Sequence, residues 1–290
     1  MDANCDAKTV SGFGREWSRF DQSALSADES REVFERYFSL FPWEALPPGA
    51  AGFDLGCGSG RWARLAAEKV GFLHCIDPSA KALVVARRNL AEAPNCALHL
   101  GSAAGMPLAD NSMDFGYSLG VLHHLPDTEA GIRCCAAKLK AGAPLLLYLY
   151  YAFDNQPAWY RLAWRVTDLL RRLIARTPFA VKYVASQAFA LCVYWPLARA
   201  ARLVERWGKS VHSFPLAGYR HRSFYTMRTD ALDRFGTRLE RRFTRSQIQS
   251  MMERAGLERI CFREAAPFWC ALGYKKSLIA EGTRTSTCVE

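Results

Sequence analysis

The chain has 290 residues, of which 50% are hydrophobic and 23% charged, and its formal net charge is +10 at pH 7. This length favours two domains, or one domain with a large insertion, and the composition excludes disordered, collagen-like and multi-span membrane proteins. Residues 161–245 hold 18 Lys and Arg against five Asp and Glu, so this segment carries all of the excess positive charge. Such a segment is typical of a surface that binds nucleic acid, an anionic membrane or an acidic small substrate, and also of a solvated helical face.

The first six residues are acidic and lack the basic-then-apolar order of a secretory signal, which predicts a cytoplasmic protein. The ten cysteines include no Cys-x-x-Cys pair, so we expect reduced thiols, with neither a disulfide framework nor a zinc site. The longest apolar stretch, residues 179–198, is interrupted by Lys182 and Pro196. It predicts interfacial contact at most, rather than a membrane span.

Strands and helices alternate through the first half of the chain. Residues 29–41 predict a helix, and a Pro-Pro-Gly turn at residues 47–49 precedes the alternating unit. The predicted strands cover residues 51–55, 72–76, 97–100, 114–118, 144–150, 257–263 and 268–275. Helical patterns separate most of these strands, and repeated strand-helix units imply a parallel sheet covered on both faces.

The pattern changes after the fifth strand. Residues 153–222 contain helical, aromatic and basic sequence without a clear strand, which predicts a helical cap. A helix at residues 244–255 follows, and the last two strands would complete the sheet, as an antiparallel hairpin around Pro267. We therefore expect an α/β fold: a Rossmann-like, mostly parallel seven-stranded sheet with helices on both faces and a helical insertion after the fifth strand.

A glycine-rich turn, Gly-Cys-Gly-Ser-Gly at residues 56–60, joins the first strand to the next helix. Glycines allow a tight turn and a close approach of the backbone to a ligand. Asp77 ends the following strand, 17 residues after Gly60, where a carboxylate can accept hydrogen bonds from both hydroxyls of a ribose. Asp54 adds negative charge beside the turn. A ligand that carries a sulfonium and an ammonium group tolerates this charge better than a ligand that carries a pyrophosphate.

These residues resemble the first motif of the class I S-adenosylmethionine-dependent methyltransferases, in which an acid ends the strand before Gly-x-Gly-x-Gly. The resemblance covers residues 50–152 and, more weakly, 244–276. It implies S-adenosylmethionine as the cofactor. Where family members often carry Asp this chain has Ser102, so the Ser102 hydroxyl or the Ala103 amide would replace that contact to the adenine amine. The cofactor-binding residues implied are Trp17, Asp54, Gly56, Cys57, Gly58, Gly60, Asp77, Pro78, Ser102, Ala103 and Leu119.

The resemblance also implies a domain organisation. Residues 1–45 would form an N-terminal helical arm and residues 46–152 the S-adenosylmethionine-binding core. Residues 153–240 would form a helical lid or substrate insertion, and residues 241–290 the C-terminal part of the core with the tail. Residues 13–20 of the arm resemble a segment that some family members fold over the cofactor, which is the reason for including Trp17; simple packing of its aromatic residues is the alternative.

The candidate catalytic and acceptor residues follow the fourth strand and end the insertion. His123 and His124 lie on the side where ligands approach an open sheet, and His124 is the candidate general base because its ordinary pKa is near neutrality. The alternative role for such a histidine is to shape the pocket. Arg220, Arg222 and Tyr225, together with His123, are candidates for binding the acceptor through a carboxylate or phosphate, and a solvated hinge is their alternative.

No metal is expected at the site. Asp154 and Asn155 resemble half of a magnesium site in catechol-type relatives, but Ser118 and Leu119 occupy the region of the missing carboxylate.

The expected function is in-line methyl transfer to a small-molecule acceptor, with an anionic acceptor as one option. The motifs of nucleobase-amine and 5-cytosine methylation are absent, which disfavours a nucleic-acid partner. Two alternatives stay open: a membrane-peripheral enzyme that methylates a lipid or quinone, and a non-catalytic nucleotide-binding regulatory protein.

Overall fold

The computed structural model describes residues 4–211 and 214–277, and its centre is a seven-stranded sheet in the order β3-β2-β1-β4-β5-β7-β6. The strands are β1 (Ala51–Leu55), β2 (Phe72–Asp77), β3 (Cys96–Leu100), β4 (Phe115–Leu119), β5 (Pro144–Tyr148), β6 (Leu257–Phe262) and β7 (Cys270–Lys275). The first five strands are mutually parallel, and β7 is antiparallel to both β5 and β6. The prediction of a seven-stranded, mostly parallel sheet is confirmed. The sheet is mixed, because β6 and β7 form the antiparallel hairpin that the sequence predicts.

Helices precede, alternate with and follow these strands. They are α1 (Ala7–Arg19), α2 (Ala27–Tyr37), α3 (Arg61–Ala67), α4 (Ala80–Asn89), α5 (Thr128–Lys138), α6 (Ala158–Ile174), α7 (Phe179–Phe189), α8 (Trp195–Arg206), α9 (Phe224–Gly236) and α10 (Arg245–Arg254). A π-helical turn, Ala190–Tyr194, joins α7 to α8. Two helices begin with side-chain caps: the Ser79 side chain accepts a hydrogen bond from the Ala82 amide, and Thr244 forms a capping box with Gln247.

Two hydrophobic cores cover the two faces of the sheet. Successive residues of β5 enter opposite cores, because side chains alternate along a strand. Leu145 and Leu147 pack with residues of α5 and α10, whereas Leu146 packs with residues of α2, α3 and α4. These layers leave the carboxyl ends of β1, β2, β4 and β5 at one edge of the sheet.

The insertion after β5 forms α6 to α9 and has its own small core. Met227, Ala231 and Phe235 of α9 pack against residues of the π-helical turn and α8. A buried ion pair fixes α6 to the end of α9: Arg171 contacts Asp168 at 2.6 Å and donates to the Thr237 carbonyl oxygen at 2.9 Å. The insertion therefore packs as a unit around α9, which also contacts α1.

Candidate cofactor and acceptor site

The glycine turn after β1 is held by β2. The Gly56 and Cys57 amides donate to the Ile76 carbonyl oxygen at 2.7 and 3.1 Å. Gly56, Gly58 and Gly60 adopt φ values of +80°, +55° and +77°, a region that favours glycine. This conformation turns the backbone of residues 56–60 toward the carboxyl end of β2 before α3 begins.

The Asp77 carboxylate ties the turn to the end of β2. One oxygen accepts from the Gly58 amide at 2.9 Å and the other from the Ser79 amide at 2.8 Å. Burial raises the pKa of Asp77 to about 6, although the two amide hydrogen bonds act in the opposite direction. Each carboxylate oxygen keeps a second lone pair that can accept a hydroxyl of a bound ribose.

Asp54 lies behind the turn and is only 1% exposed. Burial raises the pKa of its carboxyl well above the ordinary value, and Tyr117 lies beside it. Among the described residues, its Oδ2 atom has no hydrogen-bond partner. Asp54 is not among the residues that line the cavity at this edge of the sheet, so its contact with the cofactor stays a prediction.

Helix α1 lies over the glycine turn. A Cβ at Gly58 would be 2.8 Å from Nε1 of Trp17, and a Cβ at Gly14 would be 2.4 Å from Oγ of Ser79. The two glycines therefore allow α1 to approach both the turn and the start of α4. Helix α1 of the predicted arm thus packs on the turn, with Trp17 against Gly58, and the role of the arm in covering the cofactor stays a prediction.

We predict that Gly58→Val abolishes measurable binding of S-adenosylhomocysteine. The new side chain would displace the Trp17 indole, which seals the turn, and would strain a backbone with φ of +55°. Isothermal titration calorimetry measures the loss. Gly142→Val is the matched control, since Gly142 has φ of +77° but a Cβ added there would meet no atom within 4 Å. Equal binding by both variants would contradict the assigned role of Gly58.

A single cavity of about 830 Å³ opens at this edge of the sheet. Ten of the predicted site residues line it: Trp17, Gly56, Cys57, Asp77, Pro78, Ser102, Ala103, Leu119, His124 and Arg220. The insertion supplies the opposite wall through residues such as Tyr160, Tyr194 and Asp230. Ligands of open α/β sheets bind outside the carboxyl ends of the strands, which is where this cavity lies.

Three predicted acceptor residues take part in packing instead. His123 is fully buried and its ring stacks on Tyr150 at 3.9 Å. Arg222 is 8% exposed and pairs with Glu32 at 3.2 Å, and the Tyr225 hydroxyl accepts from the Gln22 amide at 2.9 Å. The prediction that these residues contact the acceptor is therefore wrong, since Arg222, just before α9, and Tyr225 of α9 hold the N-terminal arm.

His124 reaches the cavity as a neutral imidazole. Its Nδ1 lies 2.7 Å from the Leu239 carbonyl oxygen, which assigns the proton to Nδ1. Burial lowers the pKa of His124 to about 4. Its Nε2 is buried and has no partner among the described residues, so it presents a lone pair that can accept a hydrogen bond.

A cluster of carboxyl groups in the cavity was not predicted from the sequence. Glu16 of α1 and Asp230 and Asp233 of α9 all line it, and the Tyr150 hydroxyl donates to Asp233. Within the described part of the chain, none of the three acids forms an ion pair. Their spacing was the available signal, because residues 230 and 233 share one face of a helix.

Burial, and to a smaller extent nearby carboxyl groups, keep these acids partly protonated. Burial raises the pKa of Asp230 to about 6 and that of Asp233 to about 6. Burial, followed by the charges of Asp233 and Asp230, raises the pKa of Glu16 well above its ordinary value. The cluster can therefore accept or release a proton near neutral pH.

We predict that Asp230→Asn stabilises the fold at pH 8. The raised pKa means that the folded state prefers the protonated form, so this stabilising contribution is complete below about pH 4 and lost as the pH rises through about 6. At pH 8 the free energy of unfolding is therefore lower by up to about 3 kcal/mol. The uncharged amide of asparagine avoids this loss. Urea unfolding at pH 8 and pH 4 should show the gain only at pH 8.

Asp168→Asn provides the opposite control, because Asp168 is paired with Arg171 and Arg172 at 2.6 and 2.7 Å. That variant should unfold at lower urea at pH 8. An Asp230→Asn protein that is no more stable than the parent at pH 8 would show that the buried charge is compensated.

Asp154, one half of the magnesium-like pair, holds loops together. One carboxylate oxygen accepts from the Arg245 amide at 3.0 Å and the other from Trp269 Nε1 at 3.0 Å. Across residues 4–211 and 214–277 no group of three or more His, Cys, Asp or Glu side chains is arranged to hold a metal.

Comparison with known proteins identifies the core. Residues 53–147, which contain the glycine turn and Asp77, match a family model described as a methyltransferase domain. This segment is a class I S-adenosylmethionine-dependent methyltransferase domain. S-adenosylmethionine is its cofactor, and the site fits that molecule: Gly56 and Cys57 of the turn line the cavity, and the Asp77 carboxylate lines it beside them.

The curated relatives of this methyltransferase domain differ in their acceptors. Over 126 residues the chain is 29% identical to phosphoethanolamine N-methyltransferase 2 of Caenorhabditis elegans, and this alignment covers 42% of this chain and 28% of that protein. Over 131 residues it is 29% identical to a ubiquinone biosynthesis O-methyltransferase of Xanthomonas campestris pv. campestris, and this alignment covers 44% of this chain and 54% of that protein. The chain thus spans between about a quarter and about half of the length of these two relatives.

Solved structures share the fold of the methyltransferase domain over most of this chain. A possible exported protein from Bordetella parapertussis aligns with a TM-score of 0.52 and 16% identity, covering 90% of this chain and 79% of that one. A chain from the complex of the Haloferax volcanii Trm112 methyltransferase activator aligns with a TM-score of 0.51 and 14% identity, covering 91% and 98%. At these identities the likeness concerns the fold alone.

Proposed function

We propose that this chain transfers a methyl group from S-adenosylmethionine to a small-molecule acceptor that carries a hydroxyl or amine nucleophile. One observation carries the proposal: a single cavity extends from Asp77 and Ser102 at the sheet edge to Tyr194 and Asp230 of the insertion. A volume of about 830 Å³ lies in the range of small-ligand sites.

The cofactor half of the cavity would be formed by the sheet edge and α1. Asp77 would accept the ribose hydroxyls, and Ser102 and Ala103 would face the adenine. The backbone of the turn at residues 56–60, covered by Trp17, would hold the amino-acid end. When bound, the sulfonium supplies an electrophilic methyl group, so the protein needs to orient the acceptor and exclude water.

The acceptor half favours a hydrogen-bond donor over an anion. Arg220 lines the cavity but pairs with Glu205 at 2.8 Å, and Arg242 pairs with Glu240 at 2.7 Å. The carboxyl groups of Glu16, Asp230 and Asp233 have no such partners among the described residues. An acceptor hydroxyl or amine could donate to these carboxyl groups in addition to the Tyr219, Tyr150 and Thr237 hydroxyls. A carboxylate or phosphate would face like charge, which the cavity residues Arg61 and Arg234 offset only in part, since the pKa of Asp230 stays raised to about 6.

Asp233 is the proposed proton acceptor. Its pKa of about 6 makes it a stronger base than His124, whose pKa is about 4, and the Tyr150 and Thr237 hydroxyls fix its orientation. The proton of the acceptor would move to an Asp233 carboxylate oxygen as the nucleophile's lone pair is used. His124 Nε2, which carries no proton, would accept a hydrogen bond from a second N–H or O–H of the acceptor molecule and hold it. The predicted role of His124 as general base thus becomes the competing proposal.

Two measurements test the function. Calorimetry should show binding of S-adenosylhomocysteine and none of NAD; preferential NAD binding would overturn the assignment. Incubation with methyl-labelled S-adenosylmethionine and a mixture of small metabolites should then yield labelled products, enriched in amines or phenols. Labelling confined to carboxylates or phosphates would contradict the acceptor class. A cytoplasmic location stays a prediction.

A further inference from the structure

The exposed apolar side chains of this molecule are concentrated on the insertion. Of the fourteen large hydrophobic residues exposed in the described part of the chain, twelve lie between Trp159 and Trp207. We call these twelve residues the apolar face. They are Trp159, Leu162, Val166, Leu169, Leu170, Leu173, Val181, Val184, Leu191, Trp195, Leu203 and Trp207, and they are between 42% and 73% exposed. Such a concentration of exposed apolar side chains on one insertion indicates an interaction site.

The apolar face follows helical periodicity. On α6, residues 159, 162, 166, 170 and 173 recur at intervals of three and four, so they form one stripe along the helix. The opposite side of α6 is already used, since Asp168 and Arg171 are buried against α9. The stripe is therefore turned away from the cavity and from the protein core.

Positive charge accompanies the apolar face. Residues 158–207 contain nine Lys and Arg and two Asp and Glu. On α6, Arg161, Arg165 and Arg172 are exposed and lie at helical positions that flank the stripe on one side. Long basic side chains beside an apolar stripe can extend toward phosphate groups while the stripe is buried.

We propose that the apolar face docks on the surface of an anionic lipid bilayer. Three exposed tryptophans, at positions 159, 195 and 207, suit the boundary between headgroups and acyl chains. Within the described residues no helix is long and apolar enough to cross a membrane, so the insertion would lie in the interface. Tyr160 and Tyr194 of the same insertion line the cavity, which places the docked face close to the acceptor site.

A second copy of this chain is a poorer occupant of the apolar face. A symmetric dimer would bring the same arginine-flanked stripe of both subunits together. Like charges would then be desolvated against one another, whereas anionic lipids supply the opposite charge.

Vesicle flotation with the full chain tests the proposal. The chain should float with vesicles of phosphatidylcholine and phosphatidylglycerol at low salt, less with phosphatidylcholine alone, and less at high salt. Replacing Leu162→Asp together with Leu169→Asp should reduce partitioning by about tenfold or more, since each leucine buries its side chain. Arg161→Gln with Arg165→Gln should reduce only the preference for anionic vesicles.

Val84→Asp together with Leu100→Asp is the matched control, because these side chains are 54% and 65% exposed and lie outside the insertion. This variant should float like the parent. Failure of the parent to float at low salt, or an equal loss in both Asp variants, would overturn the proposal. A different result would also overturn the proposal: light scattering in which the parent and the control are dimers and the Leu162→Asp, Leu169→Asp variant is a monomer. Calorimetry with S-adenosylhomocysteine tests the cofactor site independently of the vesicles. Failure of the chain to float would therefore not count against the proposed methyl transfer.

Discussion

Replacing Asp77 with alanine is expected to weaken S-adenosylhomocysteine binding by a factor of about 10 to 150. This range follows from the loss of hydrogen bonds to a charged acceptor, worth about 1.5 to 3 kcal/mol. The variant also frees the Gly58 and Ser79 amides, which Asp77 holds at 2.9 and 2.8 Å, so the turn loses its anchor. Calorimetry of the purified variant at pH 8 measures the change.

The same carboxylate should make binding depend on pH. Ribose hydroxyls donate to the deprotonated form, and burial raises the pKa of Asp77 to about 6. Affinity should therefore be constant above about pH 7 and fall as the pH decreases through 6. Asp77→Asn keeps the shape of the side chain and should show a weaker, flat profile. A parent affinity that does not change between pH 8 and pH 5 would contradict the assigned contact.

Replacing Asp233 with asparagine is expected to lower kcat by about a hundred- to ten-thousand-fold, the usual contribution of a general base. The amide oxygen can still accept from the Tyr150 hydroxyl, so the geometry is preserved while the proton acceptor is lost. Binding of S-adenosylhomocysteine should be unchanged. The measurement uses the acceptor that gives the strongest labelled product.

His124→Ala separates the two candidate bases. The proposed role in holding the acceptor predicts a raised KM and a smaller effect on kcat. With S-adenosylmethionine saturating, so that protonation of Asp77 does not limit binding, the kcat of the parent should fall as the pH decreases through about 6, the pKa of Asp233, and not near 4, the pKa of His124. Full activity of Asp233→Asn together with loss of turnover in His124→Ala would return the role of base to the histidine.

The fold and the cofactor edge could be predicted from sequence because their determinants are local. Strand alternation, the glycine turn and Asp77 are each specified by residues close together in the chain, and ten predicted residues line the cavity. Trp17 was predicted only through the resemblance. Its position depends on Gly14, which lets α1 approach Ser79, a contact between segments 65 residues apart.

The acceptor site could not be predicted because it depends on how the insertion packs. Charge suggested an anionic acceptor, but Arg220 and Arg222 pair with Glu205 and Glu32. The acids brought into the cavity come from α1 and α9, more than 200 residues apart. The spacing of Asp230 and Asp233 places both on one face of a helix, but it does not tell whether that face meets the cavity or solvent.

The N-terminal arm and the insertion are fastened to one another as well as to the sheet. Phe20 and Tyr225 stack edge to face with centroids 5.5 Å apart, and the Gln22 amide binds the Tyr225 hydroxyl. Helix α1, proposed to cover the amino-acid end of the cofactor, and α9, proposed to line the acceptor site, are therefore joined by one set of contacts. Breaking these contacts would release both ligands. Binding of either ligand should therefore raise the affinity for the other, by the same factor in each direction.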